Sequence, residues 1–252
     1  MPARVAPPGA TPASVAATAH VFVDRLDDRV VVDGRDGHHL QRARRVRVGE
    51  TITAADGYGR WRVFTVVVAD AGRVQLEATS ALAHEARLAP MLTVACSLTK
   101  GEKPELAVQK LTELGVDRVL LVQAARSVVR WDDERTASGL DRLRRVAREA
   151  AAQSRRARVP VVEGPVMTAE LVEMPGLVVA APGGVRAPEL PTPPGGEWVV
   201  AVGPEGGFDA DELAAMAAAP RLAIGPFVLR AETAAIAAAA ALAGGRAFGP
   251  RG

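Results

Sequence analysis

The regular alternation of apolar runs with helical patterns after residue 90 limits the possible folds most strongly. The apolar runs are short and bounded, namely MLTVACSL (91–98), VLLVQA (119–124), VPVVEG (159–164), LVVAAP (177–182), WVVAVG (198–203) and RLAIG (221–225). Helical patterns separate them, one with Pro104 near its first turn and Gly115 at its end, one rich in arginine at about 134–152 and one rich in alanine at about 231–243. Buried strands that alternate with helices are typical of a mostly parallel sheet. We therefore predict an α/β domain over residues 90–248.

Residues 20–85 have a different pattern, because β-branched runs there are separated only by turns. The runs are VFVDR, RVVVDG, TITAADG, RWRVFTVVVAD and RVQLEATS, with a turn signal at Asp56-Gly57. Short strands of this kind predict a small barrel or sandwich. Residues 1–19 contain scattered prolines and no continuous apolar core, so we expect a disordered extension and not a signal peptide.

Composition removes several classes of protein. Cys96 is the single cysteine, so no intramolecular disulfide can form, and no Cys/His cluster has the spacing of a zinc site. No apolar run reaches the roughly 18 residues of a membrane helix. We expect a cytoplasmic protein that binds neither a metal nor a membrane.

The first candidate site is AVGPEGGF, residues 201–208, where an apolar run enters a glycine-rich turn. Glycines at the carboxyl end of a strand let backbone groups approach a ligand, and ligands of open α/β sheets bind at that end. Asp209 is placed to cap the helix that follows. A tight strand–helix turn without a ligand is the alternative. The segment matches neither a Walker loop nor G-x-G-x-x-G, so it does not favour nucleotide phosphate binding.

The second candidate site is IGPFVLRAETAAI, residues 224–236, which repeats the order of strand, Gly-Pro and helix. Arg230, Glu232 and Thr233 lie between an apolar stretch and an alanine helix. Charged groups in that position are costly unless they are paired or face a ligand. The alternative is a capping arrangement, in which Glu232 or Thr233 closes the helix start and Arg230 is the ion partner.

Two arginine-rich segments are the third candidate. Of 31 basic residues only Lys100, Lys103 and Lys110 are lysines, and 29 acidic residues reduce the net charge to +2. Twelve of the 28 arginines fall within residues 35–47 and 142–158. One-sided clusters in a nearly neutral chain are typical of surfaces that bind phosphates, although a solvated face is the alternative. Because aromatic residues are only 4% of the chain, stacking on many single-stranded bases is not expected.

Six ordered segments together resemble one known family. They are HHLQRARRVRVGE, KGEKPELAVQKLTELGV, RSVVRWDDER, QSRRARVP, GPEGG and LRAETA. From about Val21 to Leu242 the chain resembles the bacterial 16S rRNA uridine-N3 methyltransferases of the SPOUT superfamily.

The resemblance implies a fold, a cofactor and partners. It implies a PUA-like, RNA-binding β-barrel over residues 20–85 and a SPOUT domain with a deep trefoil knot over residues 90–248. It also implies a homodimer that uses S-adenosylmethionine to methylate N3 of a uridine in the 16S rRNA of the small ribosomal subunit. The alternatives are a SPOUT ribose 2′-O-methyltransferase and a non-catalytic rRNA-binding protein.

Site residues follow from the resemblance by position. Arg230 and Glu232 would lie near the transferred methyl group and would be catalytic. Because the C-terminal domain has no histidine, the general base would be a carboxylate or solvent, and of these we expect Glu232. Arg230 would stabilise charge on the uracil carbonyls or hold a phosphate. Residues of the three knot loops would bind the cofactor, namely Ala181, Pro182, Gly203, Pro204, Glu205, Gly206, Gly207, Ile224, Gly225, Val228, Leu229, Thr233 and Ala234. Arginines of both clusters would face RNA, namely Arg42, Arg45, Arg47, Arg145, Arg148, Arg155 and Arg156. The chain departs from the family pattern at Ala152, Phe227 and Ala231, where Glu, Arg and Thr are common.

Overall fold

The computed structural model of the chain describes residues 10–42 and 44–248 and divides into two compact units. The first unit comprises Met1–Ala86 with Ala151–Val159, and the second comprises Arg87–Ala150 with Pro160–Gly252. The division near residue 86 agrees with the change of pattern in the sequence. The return of residues 151–159 to the first unit differs from our expectation that the whole segment from residue 90 onward forms one domain.

The first unit is built on one sheet. Its strands are β1 (Ala19–Phe22), β2 (Arg29–Val32), β3 (Thr51–Ala55), β4 (Arg60–Asp70), β5 (Arg73–Ala78) and β6 (Ala83–His84). The order is β1-β3-β4-β5-β2 with β6 beside β4, and every neighbouring pair except β1–β3 is antiparallel. Phe64, Leu76 and Ile52 are fully buried in its core. The predicted strands are confirmed, but within the described residues the two end strands do not pair to close a barrel.

A helix that the sequence pattern did not predict follows β2. It is α1 (Gly34–Arg42), which buries Leu40 and Gly37. A Cβ on Gly37 would lie 2.1 Å from the carbonyl oxygen of Gly72, so only glycine permits this approach between the helix and the β4–β5 turn. Two glycines in nine residues make the helix hard to recognise, because glycine lowers intrinsic helix propensity.

The segment before β1 is packed against the first unit, so the prediction of disorder is wrong for residues 10–19. Pro12 is buried in a 3₁₀ turn, and the guanidinium of Arg155 donates hydrogen bonds to the carbonyls of Val15 (3.1 Å) and Ala17 (2.7 Å). A proline-rich composition does not reveal such bonds, because their donor lies 140 residues away in the sequence. Residues 1–9 lie outside the described residues.

His20 on β1 makes a second link to the same returning segment. Its two ring nitrogens form hydrogen bonds with the hydroxyl of Thr53 (2.8 Å) and the carbonyl of Arg156 (3.1 Å). Burial lowers the pKa of His20 to about 4, although the hydrogen bonds with Arg156 and Thr53 oppose this shift. The imidazole is therefore neutral at pH 7 and serves as a structural bridge.

The second unit contains the predicted parallel sheet. Its strands are β7 (Leu88–Ala89), β8 (Met91–Ser97), β9 (Arg118–Gln123), β10 (Val161–Met167), β11 (Leu177–Val185), β12 (Glu197–Val202), β13 (Arg221–Leu222) and β14 (Ala247–Phe248). The main sheet has the order β10-β9-β8-β12-β11-β13, and all of its neighbouring pairs are parallel. The short strands β7 and β14 pair separately. The α/β fold is confirmed.

Helices connect these strands. They are α2 (Lys103–Glu113), α3 (Asp133–Gln153), α4 (Thr168–Val172), α5 (Ala210–Ala215) and α6 (Ala231–Ala243). Small side chains on α6, including Ala235, Ala238 and Ala239, are fully buried against β8, β12 and α2. This close packing places the start of α6 near the start of α2, at the carboxyl ends of the central strands.

In the described part of the chain, no helix is long and apolar enough to cross a membrane. Within residues 10–42 and 44–248, no group of three or more His, Cys, Asp or Glu side chains is arranged to hold a metal ion. Cys96 is buried, and burial raises the pKa of its thiol to about 12, so it remains protonated at neutral pH.

Candidate active site

The first glycine–proline loop (residues 203–207) follows β12 at the carboxyl edge of the sheet. Gly207 has a φ of 68°, a conformation that favours glycine, and its N–H donates to the carbonyl of Pro204 at 2.8 Å. From the loop after β9, the guanidinium of Arg126 donates to the carbonyl of Gly206 at 3.0 Å. The loop is thus held in a defined turn, as the glycine pattern predicts.

Side chains of the protein cap the first turn of the helix that follows this loop. Asp209 caps α5 by accepting from the N–H of Glu212 (2.8 Å), and Glu212 accepts from the N–H of Asp209 (2.9 Å) in return. The other carboxylate oxygen of Glu212 accepts from the N–H of Ala125 and the hydroxyl of Thr168, both at 2.8 Å. Phe208 is buried with 7% of its surface exposed.

The second glycine–proline loop (residues 224–230) leads from β13 to α6 and leaves its side chains open. Phe227 and Val228 are 82% and 98% exposed. Arg230 is the N-cap residue of α6, but its side chain makes no capping hydrogen bond, and it is exposed. The predicted alternative, in which Arg230 is the ion partner of a capping Glu232, is therefore not what the structure shows.

Glu232 lies in the first turn of α6 and pairs instead with a lysine of α2. The ammonium nitrogen of Lys103 donates to Oε1 of Glu205 at 2.9 Å and lies 3.8 Å from Oε2 of Glu232. The Glu232 side chain is only 9% exposed, and its Oε2 has no hydrogen-bond partner within the described residues. A buried carboxylate oxygen of this kind is costly unless a ligand or an ion compensates it.

The Lys103–Glu205 contact changes both pKa values. The hydrogen bond from Lys103 lowers the pKa of Glu205 from its usual range. The same contact raises the pKa of Lys103, with the charge of Glu232 adding to the effect and that of Arg230 opposing it. At neutral pH the cluster therefore contains a carboxylate at Glu205 and an ammonium at Lys103.

The body of Glu232 is enclosed by packed groups from β8, α2 and α6. It lines a cavity of about 10 Å³ together with Ser97, Thr99, Pro104 and Ala107. A cavity of that size holds about one water molecule at most. The Glu232 side chain is therefore closely packed on the side of this cavity.

The predicted cofactor segment at residues 181–182 lies within β11 and not in a loop. Ala181 and Pro182 fall between Ala180 and Val185, where the pairing of β11 with β13 changes register. A Cβ on Gly184 would lie 2.3 Å from the carbonyl oxygen of Arg221, so the two backbones approach closely there. Because β11 lies between β12 and β13, the three predicted cofactor segments occupy one edge of the sheet. The predicted residues brought to this edge are Ala181, Pro182, Gly203, Pro204, Glu205, Gly206, Gly207, Ile224, Gly225, Val228, Leu229, Thr233 and Ala234.

The arginines of the first cluster point to solvent. Arg42 ends α1, and Arg45 and Arg47 follow it, all three in exposed positions. Arg45 has a φ of 51°, in the left-handed region. This part of the predicted RNA surface is therefore available to a ligand.

The second cluster is partly used to hold the fold together. Arg142 pairs with Glu105 at 2.9 Å, and Arg144 donates to the carbonyl of Val162 at 3.1 Å. Arg155, predicted to bind RNA, instead holds the N-terminal segment as described above. Arg156 is half-buried, whereas Arg145 and Arg148 are exposed on α3. The one-sided stripe read from the sequence is therefore partly engaged within the protein, because the fold supplies partners that the sequence does not show.

Two residues of the site were missed by the sequence interpretation. Lys103 joins the two loops, and Arg126 holds the first loop, yet neither was assigned a role. Both lie in segments that carried the family resemblance, KGEKPELAVQKLTELGV and RSVVRWDDER. The scarcity of lysine was a usable signal, since a lysine retained in an arginine-rich chain merits separate attention.

A larger cavity than the one beside Glu232 lies elsewhere. It measures about 340 Å³ and opens at the amino ends of β11 and β12, beside Gly176, Leu177 and Trp198. Its lining contains no charged side chain. Because polar and charged groups that could act on a substrate converge at the opposite edge, we place the candidate active site there and not in the larger cavity.

Comparison with known proteins identifies the same two parts of the chain. A family model described as an RNA methyltransferase domain matches residues 86–243, and one described as an RNA methyltransferase PUA domain matches residues 32–79. Ribosomal RNA small subunit methyltransferase E from Mycobacterium bovis is 41% identical over 236 residues, which cover 88% of this chain and 89% of the relative. The protein of the same name from Bacillus subtilis is 30% identical over 229 residues, covering 84% and 88%.

A solved structure agrees with the fold. Ribosomal RNA small subunit methyltransferase E from Neisseria gonorrhoeae, bound to S-adenosyl methionine, superposes with a TM-score of 0.77 at 28% identity. The alignment covers 89% of this chain and 96% of that structure.

Proposed function

Because the chain belongs to the RNA methyltransferase family, with an N-terminal PUA domain, we propose that it transfers a methyl group from S-adenosylmethionine to N3 of a uridine in 16S rRNA. The family and the relatives make it an S-adenosylmethionine-dependent rRNA methyltransferase. The uridine N3 position is the finer part of the proposal. The observation that supports it is the buried carboxylate of Glu232, which has one oxygen without a hydrogen bond from any of the described residues and stands two residues from an exposed arginine.

The residues at the carboxyl edge of the sheet fit this cofactor. Gly183 and Gly207 have positive φ, and a Cβ on either would meet no atom within 4 Å, so the backbone is open to a ligand at both positions. Glu205 and Glu232 lie beside this backbone with the ammonium of Lys103 between them, so the site presents two carboxylates and one ammonium to a ligand. When bound, S-adenosylmethionine supplies an electrophilic methyl group. The segments that would hold it are residues 181–182, 203–207 and 224–234.

Glu232 is the residue that takes the proton of uridine N3. In the proposed transfer the bond from N3 to the methyl carbon would form as the carbon–sulfur bond of the cofactor breaks, which would leave S-adenosylhomocysteine, and the N3 proton would pass to the Glu232 carboxylate and later to solvent. A positioned base contributes about 10²- to 10⁴-fold to such a step. A carboxylate is suited to this role here because all four histidines of the chain lie within residues 20–84.

Arg230 balances the negative charge that develops on the uracil ring. Loss of the N3 proton moves charge onto the two flanking carbonyl oxygens, and a guanidinium offers donors in a planar fork to such acceptors. Arg230 has no ion pair within the described part of the chain and is exposed, so it is free to approach a substrate. Because N3 lies on the Watson–Crick edge, the target base must be unpaired or turned out of its stack.

The proposal includes four further features of the family. They are a deep trefoil knot formed by the three segments, a homodimer, RNA contact through the exposed arginines Arg42, Arg45, Arg47, Arg145 and Arg148, and a cytoplasmic location. Support for the RNA surface comes from the exposure of these five side chains.

Nucleoside analysis tests the proposed reaction. Small ribosomal subunits from a strain that lacks the modification are incubated with the purified chain and S-adenosylmethionine, digested and analysed by mass spectrometry. We expect one new 3-methyluridine per 16S rRNA. A ribose-methylated nucleoside would instead support the 2′-O-methyltransferase alternative. Binding of the subunit with no methylated product would support a non-catalytic RNA-binding protein.

A further inference from the structure

Lys103 occupies a position that links three elements of the candidate active site. It is the first residue of α2, its partner Glu205 lies in the first glycine–proline loop, and Glu232 lies in the first turn of α6. The three segments are far apart in the sequence, and their charged side chains meet at this ammonium group. Lys103 is one of three lysines in the chain.

The side chains of Glu232, Lys103 and Glu205 differ in solvent exposure. Glu232 is 9% exposed, Lys103 32% and Glu205 45%. The ammonium of Lys103 therefore lies on the solvent side of the buried Glu232 carboxylate. The more exposed carboxylate of Glu205 accepts a hydrogen bond of 2.9 Å from that ammonium. The attraction between the charges of Lys103 and Glu232 fixes where the Glu232 carboxylate lies, because Coulomb energies are larger in a partly buried site than in water.

We propose that Lys103 is a positioning residue for methyl transfer, which is held by Glu205 and keeps the Glu232 carboxylate in place and oriented toward the substrate. The inference rests on the proposed function, because it assigns Lys103 to the base of that reaction. Lys103 does not itself take the N3 proton. The contact with Glu205 raises the pKa of Lys103, so the ammonium form persists at neutral pH.

The main test replaces Lys103 by methionine, which keeps the length of the side chain and removes the charge. We expect Lys103→Met to lower the single-turnover rate at saturating S-adenosylmethionine by about 10²-fold, the loss that follows when a reacting group is displaced by about 1 Å. Lys103→Arg should recover part of this loss because it restores the positive charge. Circular dichroism melts check that each variant is folded.

Lys110 provides a matched control on the same helix. Its ammonium pairs with Glu113 at 2.9 Å, outside the candidate active site. Lys110→Met removes an ion pair of the same type and length from α2, so it reports any effect on the helix alone. We expect its single-turnover rate to stay near that of the wild type. If Lys103→Met lowers only the melting temperature, as Lys110→Met would, Lys103 is structural and the inference is wrong.

A double-mutant cycle shows whether Lys103 acts through Glu232. If it does, Lys103→Met should add little to the loss in Glu232→Gln, because the carboxylate that it serves is already absent. Losses that multiply in the double variant would contradict the inference. Glu205→Gln should give a smaller loss of rate than Lys103→Met and should also be non-additive with it.

The same experiments separate this inference from the proposed function. If the wild-type chain forms no 3-methyluridine, the proposed function fails. If the wild type forms 3-methyluridine and Lys103→Met forms it at the same rate, the proposed function stands and only the role of Lys103 is wrong.

Discussion

The two glycine–proline loops of the second unit have similar sequences and different environments. Each follows a strand at the same edge of the sheet, and each enters a helix with a glutamate in its first turn. In the first loop, Phe208 is buried, and Glu212 accepts hydrogen bonds from three residues. In the second, Phe227 is 82% exposed, and Glu232 has an oxygen without any hydrogen bond within the described residues.

This difference separates a structural turn from a reactive one. Polar groups that the protein itself satisfies contribute to stability, and their loss leaves a buried donor or acceptor unpaired. Polar groups held in place without a partner can interact with a ligand. Substitutions at equivalent positions should therefore affect stability in the first loop and methyl transfer in the second.

The largest expected effect is that of Glu232→Gln. Glutamine keeps the shape of the side chain but cannot accept the N3 proton, so the single-turnover rate should fall by about 10²- to 10⁴-fold with little change in melting temperature. The matched variant Glu212→Gln should lower the free energy of unfolding by about 1–3 kcal/mol and leave the rate per folded molecule near wild type. Equal rates in the two variants would show that the loops do not differ in this way.

Phe208 and Phe227 test whether the aromatic residues at the two loops differ in packing. Phe208→Ala should lower the free energy of unfolding by about 3–5 kcal/mol, because it leaves a cavity in the core. Phe227→Ala should change it by no more than about 0.5 kcal/mol, because the ring is exposed. Chemical denaturation of both variants measures the difference. Similar losses would mean that the second loop is packed as tightly as the first.

Arg230 tests whether the open helix start of the second loop contributes to the reaction. Arg230→Met should lower the single-turnover rate by about 10²- to 10³-fold, the cost of removing one donor to a developing negative charge. The affinity for S-adenosylmethionine, measured by calorimetry, should change much less. An unchanged rate would remove Arg230 from the mechanism and leave Glu232 to act without it.

Among the first-loop variants, the smallest loss of stability is expected at the cap. Asp209→Ala removes the side chain that accepts from the N–H of Glu212, so the free energy of unfolding should fall by about 0.5–2 kcal/mol. Asp209→Asn keeps an acceptor and should retain most of that stability. If thermal melts show equal losses for both variants, the capping hydrogen bond does not account for the effect.

The strands of the main sheet and the last helix of the second unit were predicted well from the sequence. The alanine-rich helix was expected at about 231–243 and is α6 (Ala231–Ala243), since a long apolar run between charged residues and two glycines has clear limits. The six apolar runs are the six strands of the main sheet. Helix α1 was missed, because two glycines in nine residues lower its helix propensity, and one of them, Gly37, lies close to a turn that is distant in the sequence.

The candidate site was predicted in part. Both loops and the pair Arg230 and Glu232 were found by motif, whereas the partner of Glu232 was not. The sequence places Arg230 two residues from Glu232 and Lys103 about 130 residues away, yet the ion pair forms with Lys103. In the same way, Arg155 was assigned to RNA but holds the carbonyls of Val15 and Ala17.

By itself, the sequence determined the α/β class, the parallel sheet, the two glycine–proline loops and the family, because these depend on periodicity and on residues close together in the chain. Only the tertiary structure decided which charges are paired. Long-range ion pairs and hydrogen bonds depend on which helices and strands pack together, and that packing brings Lys103, Glu205 and Glu232 within reach of one another. The same packing left one loop satisfied and the other open to a ligand.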